Sequence, residues 1–243
     1  MRIAFDLDGT LADLQAVLAE AAERMFGPVG AIPAAAGQRS AAPARPVADA
    51  LHPAALAEES PDDEPVPPSF HELGAGDQRR LWQSVLDTEN FWETLNETEP
   101  GIVARLAVLA LERRWEVIFI TQRPPSAGDT CQLQSQRWLV RHGFALPSVY
   151  VLRGSRGKVA TALDLDVVVD DRPDNCLDVV VESKARAFLV WRGDMSGSAP
   201  VAAKRLKIDV VQSVGECLDL LAAEREGKSG GIMSKLKRLM GSA

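Results

Sequence analysis

Ile3-Ala4-Phe5-Asp6-Leu7-Asp8-Gly9-Thr10 is the stretch on which the reading of this chain turns. Its apolar start, Ile3-Ala4-Phe5, predicts a buried strand, which would deliver the residues that follow to the sheet edge where open α/β sheets bind ligands. Carboxylates spaced i, i+2 at a strand end face the same side, and Gly9 permits the sharp turn that lets Asp6 and Asp8 converge. Two carboxylates so close repel one another. They are stable mainly with a cation between them, or with one kept protonated for acid–base work. A turn rich in Asp and Gly is also a common surface feature, so the rest of the chain has to decide.

Composition narrows the classes. With 243 residues, 46% of them hydrophobic, the chain can bury a sizeable core as one large domain or as a domain carrying an insertion. The net charge of -7 argues against a nucleic-acid polymer as partner, which would require a basic footprint. Cys131, Cys176 and Cys217 are widely spaced and contain no C-x-x-C, so neither a disulfide framework nor a zinc site is expected. Met1 to Ala4 lack the cationic start of a signal peptide, and no apolar run approaches the length of a transmembrane segment. The expected compartment is the cytoplasm.

Beyond Thr10, apolar residues at 11, 14, 17, 18 and 22 predict an amphipathic helix up to about Phe26. Residues 28–68 are dense in Ala and Pro, with acidic residues at 58, 59 and 62–64, and read as a mobile loop. Leu81, Trp82, Val85 and Leu86 form the apolar stripe of a second helix, followed by Phe91-Trp92 and Leu95. Trp82, Phe91 and Trp92 can line a substrate cleft or pack the insertion onto the main body; aromatic stripes are more often core.

From Pro100 the pattern is regular. A helix over 101–114 precedes a strand over Glu116–Thr121, which reads as fully buried. Then follow a helix over 128–142, a strand over 149–152, a short helix opening at Lys158 and a buried strand over 166–170. A helix over 173–183, strands over 187–191 and 208–211 and a helix over 214–221 complete the series. Alternating units of this length predict an α/β protein with a Rossmann-like parallel sheet and helices on both faces. A small, mainly helical or irregular cap is inserted after the first strand. Thr121, Lys158 and Asp170-Asp171 then fall at strand ends or helix starts on the same carboxyl edge as Asp6 and Asp8. Each alone has a bland reading as a cap, a solvated lysine or the start of a loop. Together they suggest a site.

In these motifs the chain resembles the haloacid dehalogenase-like (HAD) superfamily, in its phosphatase branch: Asp6-Leu7-Asp8-Gly9-Thr10, Thr121, Lys158 and Asp170-Asp171 match in order. Phe91-Trp92-Glu93-Thr94-Leu95, Thr121-Gln122-Arg123-Pro124 and Asp170-Asp171-Arg172-Pro173-Asp174-Asn175 look like the 5'-deoxynucleotidase-type members. The finer likeness covers about residues 1–13 and 91–195.

The resemblance implies a Mg²⁺-dependent phosphomonoester hydrolase acting through an aspartyl-phosphate. Asp6 would be the nucleophile and a metal ligand, and Asp8 the general acid–base with its carbonyl on the metal. Asp170 and Asp171 would be metal ligands. Thr121, Gln122, Arg123 and Lys158 would bind substrate, Lys158 also offsetting the charge around Asp6; Arg123 reads equally well as a surface arginine. The implied substrate is a nucleoside monophosphate or another small phosphorylated metabolite. A phosphotransferase, or a non-catalytic interaction protein on the same fold, is the alternative.

The implied domains are a catalytic core over 1–13 and 96–226, a cap over 14–95 and a tail over 227–243. Lys228, Lys235, Lys237 and Arg238, with Ile232, Leu236, Leu239 and Met240 at helical spacing, suggest a frayed basic terminus or a helix touching a membrane surface.

Overall fold

The computed structural model of the chain describes residues 1–27 and 73–223. The Ala/Pro-rich stretch over 28–68 and the basic tail over 227–243, with the readings made of them, lie outside the described residues. Six parallel strands form one sheet: β1 (Arg2–Asp6), β2 (Glu116–Thr121), β3 (Ser148–Val151), β4 (Val167–Asp170), β5 (Arg186–Val190) and β6 (Asp209–Val211). Their order is β3-β2-β1-β4-β5-β6, so the chain changes direction across the sheet beside β1. This is the Rossmann-like order, whose ligand crevice opens outside the carboxyl ends of the strands at that switch point.

Side chains alternate across the sheet, and the alternation splits the core in two. Ile3, Phe5, Phe119, Val167, Val169, Phe188 and Val190 belong to one apolar cluster, while Ala4, Ile120, Val168, Ala187 and Leu189 belong to the other. The first face is covered by α1 (Leu14–Phe26), α2 (Ala75–Leu86), α3 (Ile102–Arg113), α4 (Cys131–Arg141) and the last helix, α8, over 214–223. The second face is covered by α5 (Arg156–Ala162), α6 (Pro173–Glu182) and α7 (Ser198–Arg205). Fully burying each large apolar side chain is worth about 1.5–3 kcal/mol, which accounts for the tight specification of both faces.

Local chemistry sets the helix starts. Asp13 accepts from the Ala16 amide to cap α1, Thr130 accepts from Leu133 to cap α4, and Ser155 accepts from Gly157 and Lys158 to cap α5. Glu97 accepts from the Gly101 and Val103 amides at the start of α3, and Glu99 from Val214 and Gly215 at the start of α8.

Several expectations need correction. β2 is buried only in its second half, because Glu116 lies at the amino edge, exposed and paired with Arg2 at 2.6 Å. β3 is an edge strand with one buried residue, Val149. The helix expected to open at Lys158 begins two residues earlier, at Arg156. α7 was not anticipated; its proline, Pro200, sits in the first turn, where a missing amide costs no helical bond. The aromatic stripe, by contrast, is core as its pattern favoured: Trp82, Phe91 and Trp92 are all buried in the first cluster, and Phe91–Glu93 form a turn of 3₁₀ helix.

Candidate active site

β1 ends on Asp6, which pairs in register with Ile120 of β2, and Phe5 pairs with Val169 of β4. Asp6 therefore sits between the ends of β2 and β4. Asp8 follows in the turn, where Gly9 adopts φ +81°, a conformation natural only to glycine. A Cβ at Gly9 would also lie 2.1 Å from Asp171 Oδ2, so this glycine is required twice over. Arg192, just beyond β5, donates to the Gly9 and Thr10 carbonyls and pairs with Glu99 at 3.1 Å, tying the turn to α8.

Each carboxylate has a definite partner. Arg156 Nη2 donates to Asp6 Oδ1 at 2.6 Å, and its Nε reaches Asp170 Oδ2 at 3.4 Å. Asp170 further accepts from the Arg172 amide at 2.9 Å and from Asn175 Nδ2 at 3.0 Å. Asp8 is gripped by Arg123: Nε lies 3.0 and 2.8 Å from Oδ1 and Oδ2, and Nη2 lies 2.7 Å from Oδ1. Thr121 Oγ1 donates to Asp8 Oδ2 at 3.2 Å, and Thr10 Oγ1 donates to Asp171 Oδ1 at 3.2 Å.

Asp6, Asp8, Thr121, Gln122, Arg156, Arg172 and Asn175 line a small cavity of about 20 Å³ at the sheet edge. That is room for roughly one water or ion. Arg156 Nη1 is buried without a hydrogen-bond partner, a donor left over in an acidic site.

The electrostatics are those of crowded carboxylates. Burial, with Asp170 adding repulsion and Arg156 opposing it, pushes the Asp6 carboxyl well above the usual range. Burial and Asp170 likewise push Asp171 up to about 7. Burial works against the Arg156 charge, but Asp6 and Asp170 outweigh it and hold the guanidinium above the ordinary arginine range.

The structure brings Asp6, Asp8, Thr121 and Gln122 together around one cavity, with Asp170 behind its lining residues Arg156 and Asn175 and with Asp171 against Gly9. It does not bring Lys158 with them. Lys158 is exposed, because residues two apart on a helix point about 200° from one another and Arg156 holds the inward position. Arg123 is not a surface arginine: it is 2% exposed, and its guanidinium donors go to Asp8 and Ser135. Arg156 was overlooked although Ser155, a good N-cap residue, marked the helix start.

The donor set is all oxygen with surplus negative charge, which suits a small hard cation. Among the described residues, no three His, Cys, Asp or Glu side chains are drawn onto one point as a metal cage; the arginines divide them into pairs.

No protein-family model matches the chain, and no curated protein sequence matches it. Several solved structures resemble it along nearly their whole length at low identity. A protein from Thermotoga maritima assigned as a beta-phosphoglucomutase is 17% identical, with a TM-score of 0.48 over 90% of this chain and 97% of that one. A haloacid dehalogenase-like family hydrolase from Xanthomonas campestris is 14% identical, with a TM-score of 0.48 over 92% and 98%. A hydrolase from Pseudomonas syringae is 15% identical, with a TM-score of 0.45 over 93% and 99%. Among the described residues, no helix is long and apolar enough to cross a membrane.

Proposed function

We propose that this chain is a phosphomonoester hydrolase of the haloacid dehalogenase type, working through an aspartyl-phosphate on Asp6. The observation that carries the reading is the setting of Asp6: it stands at the switch point of the sheet, paired with Arg156, and lines one small cavity together with Asp8 and Thr121. A carboxylate nucleophile divides one difficult hydrolysis into two displacements. Asp8 is close enough in sequence and space to protonate the departing alkoxide and later to take a proton from the attacking water. Arg156 Nη1, unpartnered and buried, is suited to receive an equatorial phosphoryl oxygen as charge develops there.

Although Arg156, paired with both Asp6 and Asp170, keeps those carboxylates from closing on one point, the oxygen donors present are of the kind Mg²⁺ takes. Asp6, Asp170, Asp171 and the Asp8 backbone carbonyl would hold it, and when bound it would neutralise phosphate charge and steer the phosphoryl group towards Asp6. The raised Asp6 and Asp171 carboxyls agree with this: burial comes first in raising them and repulsion from Asp170 second, and a cation held among them would oppose both.

The favoured substrate is a nucleoside monophosphate, with other small phosphorylated metabolites next. A panel of such esters assayed with Mg²⁺ and with EDTA tests the reading. Phosphate release that requires both Mg²⁺ and Asp6 supports it; no release from any ester, or release undiminished by excess EDTA, contradicts it.

A further inference from the structure

Arg123 makes no contact with the candidate nucleophile, yet it is one of the largest fully buried side chains. Its guanidinium is committed on every side. Nε and Nη2 fork onto the Asp8 carboxylate at 2.7 to 3.0 Å, Nη1 donates to Ser135 Oγ at 2.8 Å, and the group lies over the Trp92 ring at 4.9 Å. Trp92 is itself fixed: its Nε1 donates to the Pro124 carbonyl at 3.1 Å, and its amide donates to Gln134 Oε1 at 3.0 Å. Ser135 and Gln134 are buried neighbours on α4, both fully enclosed.

From this arrangement we infer that Arg123 is a positioning residue for Asp8, itself held by Ser135 and Trp92. A planar fork on a planar carboxylate leaves that carboxylate one orientation, whereas a lysine ammonium at the same place would leave many. The orientation matters because proton transfer requires the carboxyl within hydrogen-bond reach of the leaving oxygen, and small misplacements of a reacting group are costly. The clamp also gives the cap a route to the chemistry. Trp92 belongs to the short 3₁₀ turn that joins the inserted helices back to the core, so a shift of that turn moves the ring on which Arg123 rests. Arg123 is not a catalytic residue in this account; it touches Asp8 and not the substrate.

The inference rests on the phosphomonoesterase reading, and the test separates the two. Wild type, Arg123→Lys and Ser135→Ala are compared on an alkyl phosphate, which needs a proton on its leaving oxygen, and on an aryl phosphate, which needs it far less. Arg123→Lys should lose about 10²-fold in kcat on the alkyl ester and roughly tenfold or less on the aryl ester, with little change in KM. Ser135→Ala, nearly isosteric and removing only one hydrogen bond of the arginine, should shift the alkyl-to-aryl ratio in the same direction by a smaller factor. It carries the test on its own if Arg123→Lys does not fold. Equal losses on both esters, or a rise in KM without a change in the ratio, would overturn the inference and leave the phosphatase reading standing. A wild-type protein inactive on both esters would overturn that reading, and the inference with it.

Discussion

Arg156 ties Asp6 to Asp170 across the carboxyl edge of the sheet, its Nη2 2.6 Å from one carboxylate and its Nε 3.4 Å from the other. Two buried acidic groups from strands β1 and β4 thereby share one buried guanidinium, and that guanidinium is delivered by the first residue of α5.

Removing this cation should be felt in folding and in chemistry. Arg156→Met leaves the two carboxylates without their shared partner, which should cost about 3–5 kcal/mol. It should also lower phosphate release by about 10²-fold or more, the usual loss when a charge-stabilising donor is removed. Lys158→Ala, on the exposed side of the same helix, should change stability by less than about 0.5 kcal/mol and leave turnover intact. Thermal melts and turnover of the two variants provide the check, and a large loss in Lys158→Ala with little in Arg156→Met would reverse the assignment.

The position of α5 depends on a glycine. A Cβ at Gly157 would stand 2.1 Å from the Asp178 carbonyl oxygen and 2.7 Å from Glu182 Cβ, both on α6. Gly157→Ala must push the two helices apart, and overpacking of this kind costs about 1–3 kcal/mol. Because Arg156 is its neighbour, the variant should lose activity in excess of its loss of stability, measured as turnover at a temperature where it is still fully folded. Unchanged turnover and melting would show that α5 can move without consequence.

The crowded carboxylates predict a pH dependence for the metal-free protein. In the folded state Asp171 is pushed up to about 7 and Asp6 well above the usual range, whereas in the unfolded chain both ionise near pH 4. Between about pH 4 and 7 the unfolded chain thus binds fewer protons than the folded one, and stability falls as pH rises through that window. In EDTA, the melting temperature should drop from pH 5 to pH 7.5. Asp171→Asn should remove part of the slope, and Mg²⁺ should flatten it in the wild type. A slope that neither change affects would mean that these two groups do not govern it.

The parts of the site made by local sequence were legible before the structure. β1 and β4 are apolar runs ending abruptly in carboxylates, and the βα alternation placed both ends on one edge. What escaped were residues fixed by helix phase or by distant partners. Ser155-Arg156-Gly157-Lys158 looks like a turn preceding a lysine, but Ser155 caps a helix there, and a rotation of about 100° per residue turns Arg156 inward and Lys158 outward. The burial of Arg123 depends on Asp8, 115 positions away, a pairing that no local pattern reveals. α7 went unread because two buried residues, Pro200 and Ala203, make too weak a stripe to signal a helix.

Under the proposed mechanism Asp6 becomes covalently phosphorylated during turnover. The most direct measurement is to quench the protein in acid during turnover of an aryl phosphate with Mg²⁺, then locate the added phosphoryl group by peptide mass spectrometry. The modification is expected on the peptide containing Asp6, should accumulate in Asp8→Asn as hydrolysis of the intermediate slows, and should be absent from Asp6→Asn together with all phosphate release. Active turnover with no phosphopeptide in Asp8→Asn, or wild-type-like turnover in Asp6→Asn, would contradict it.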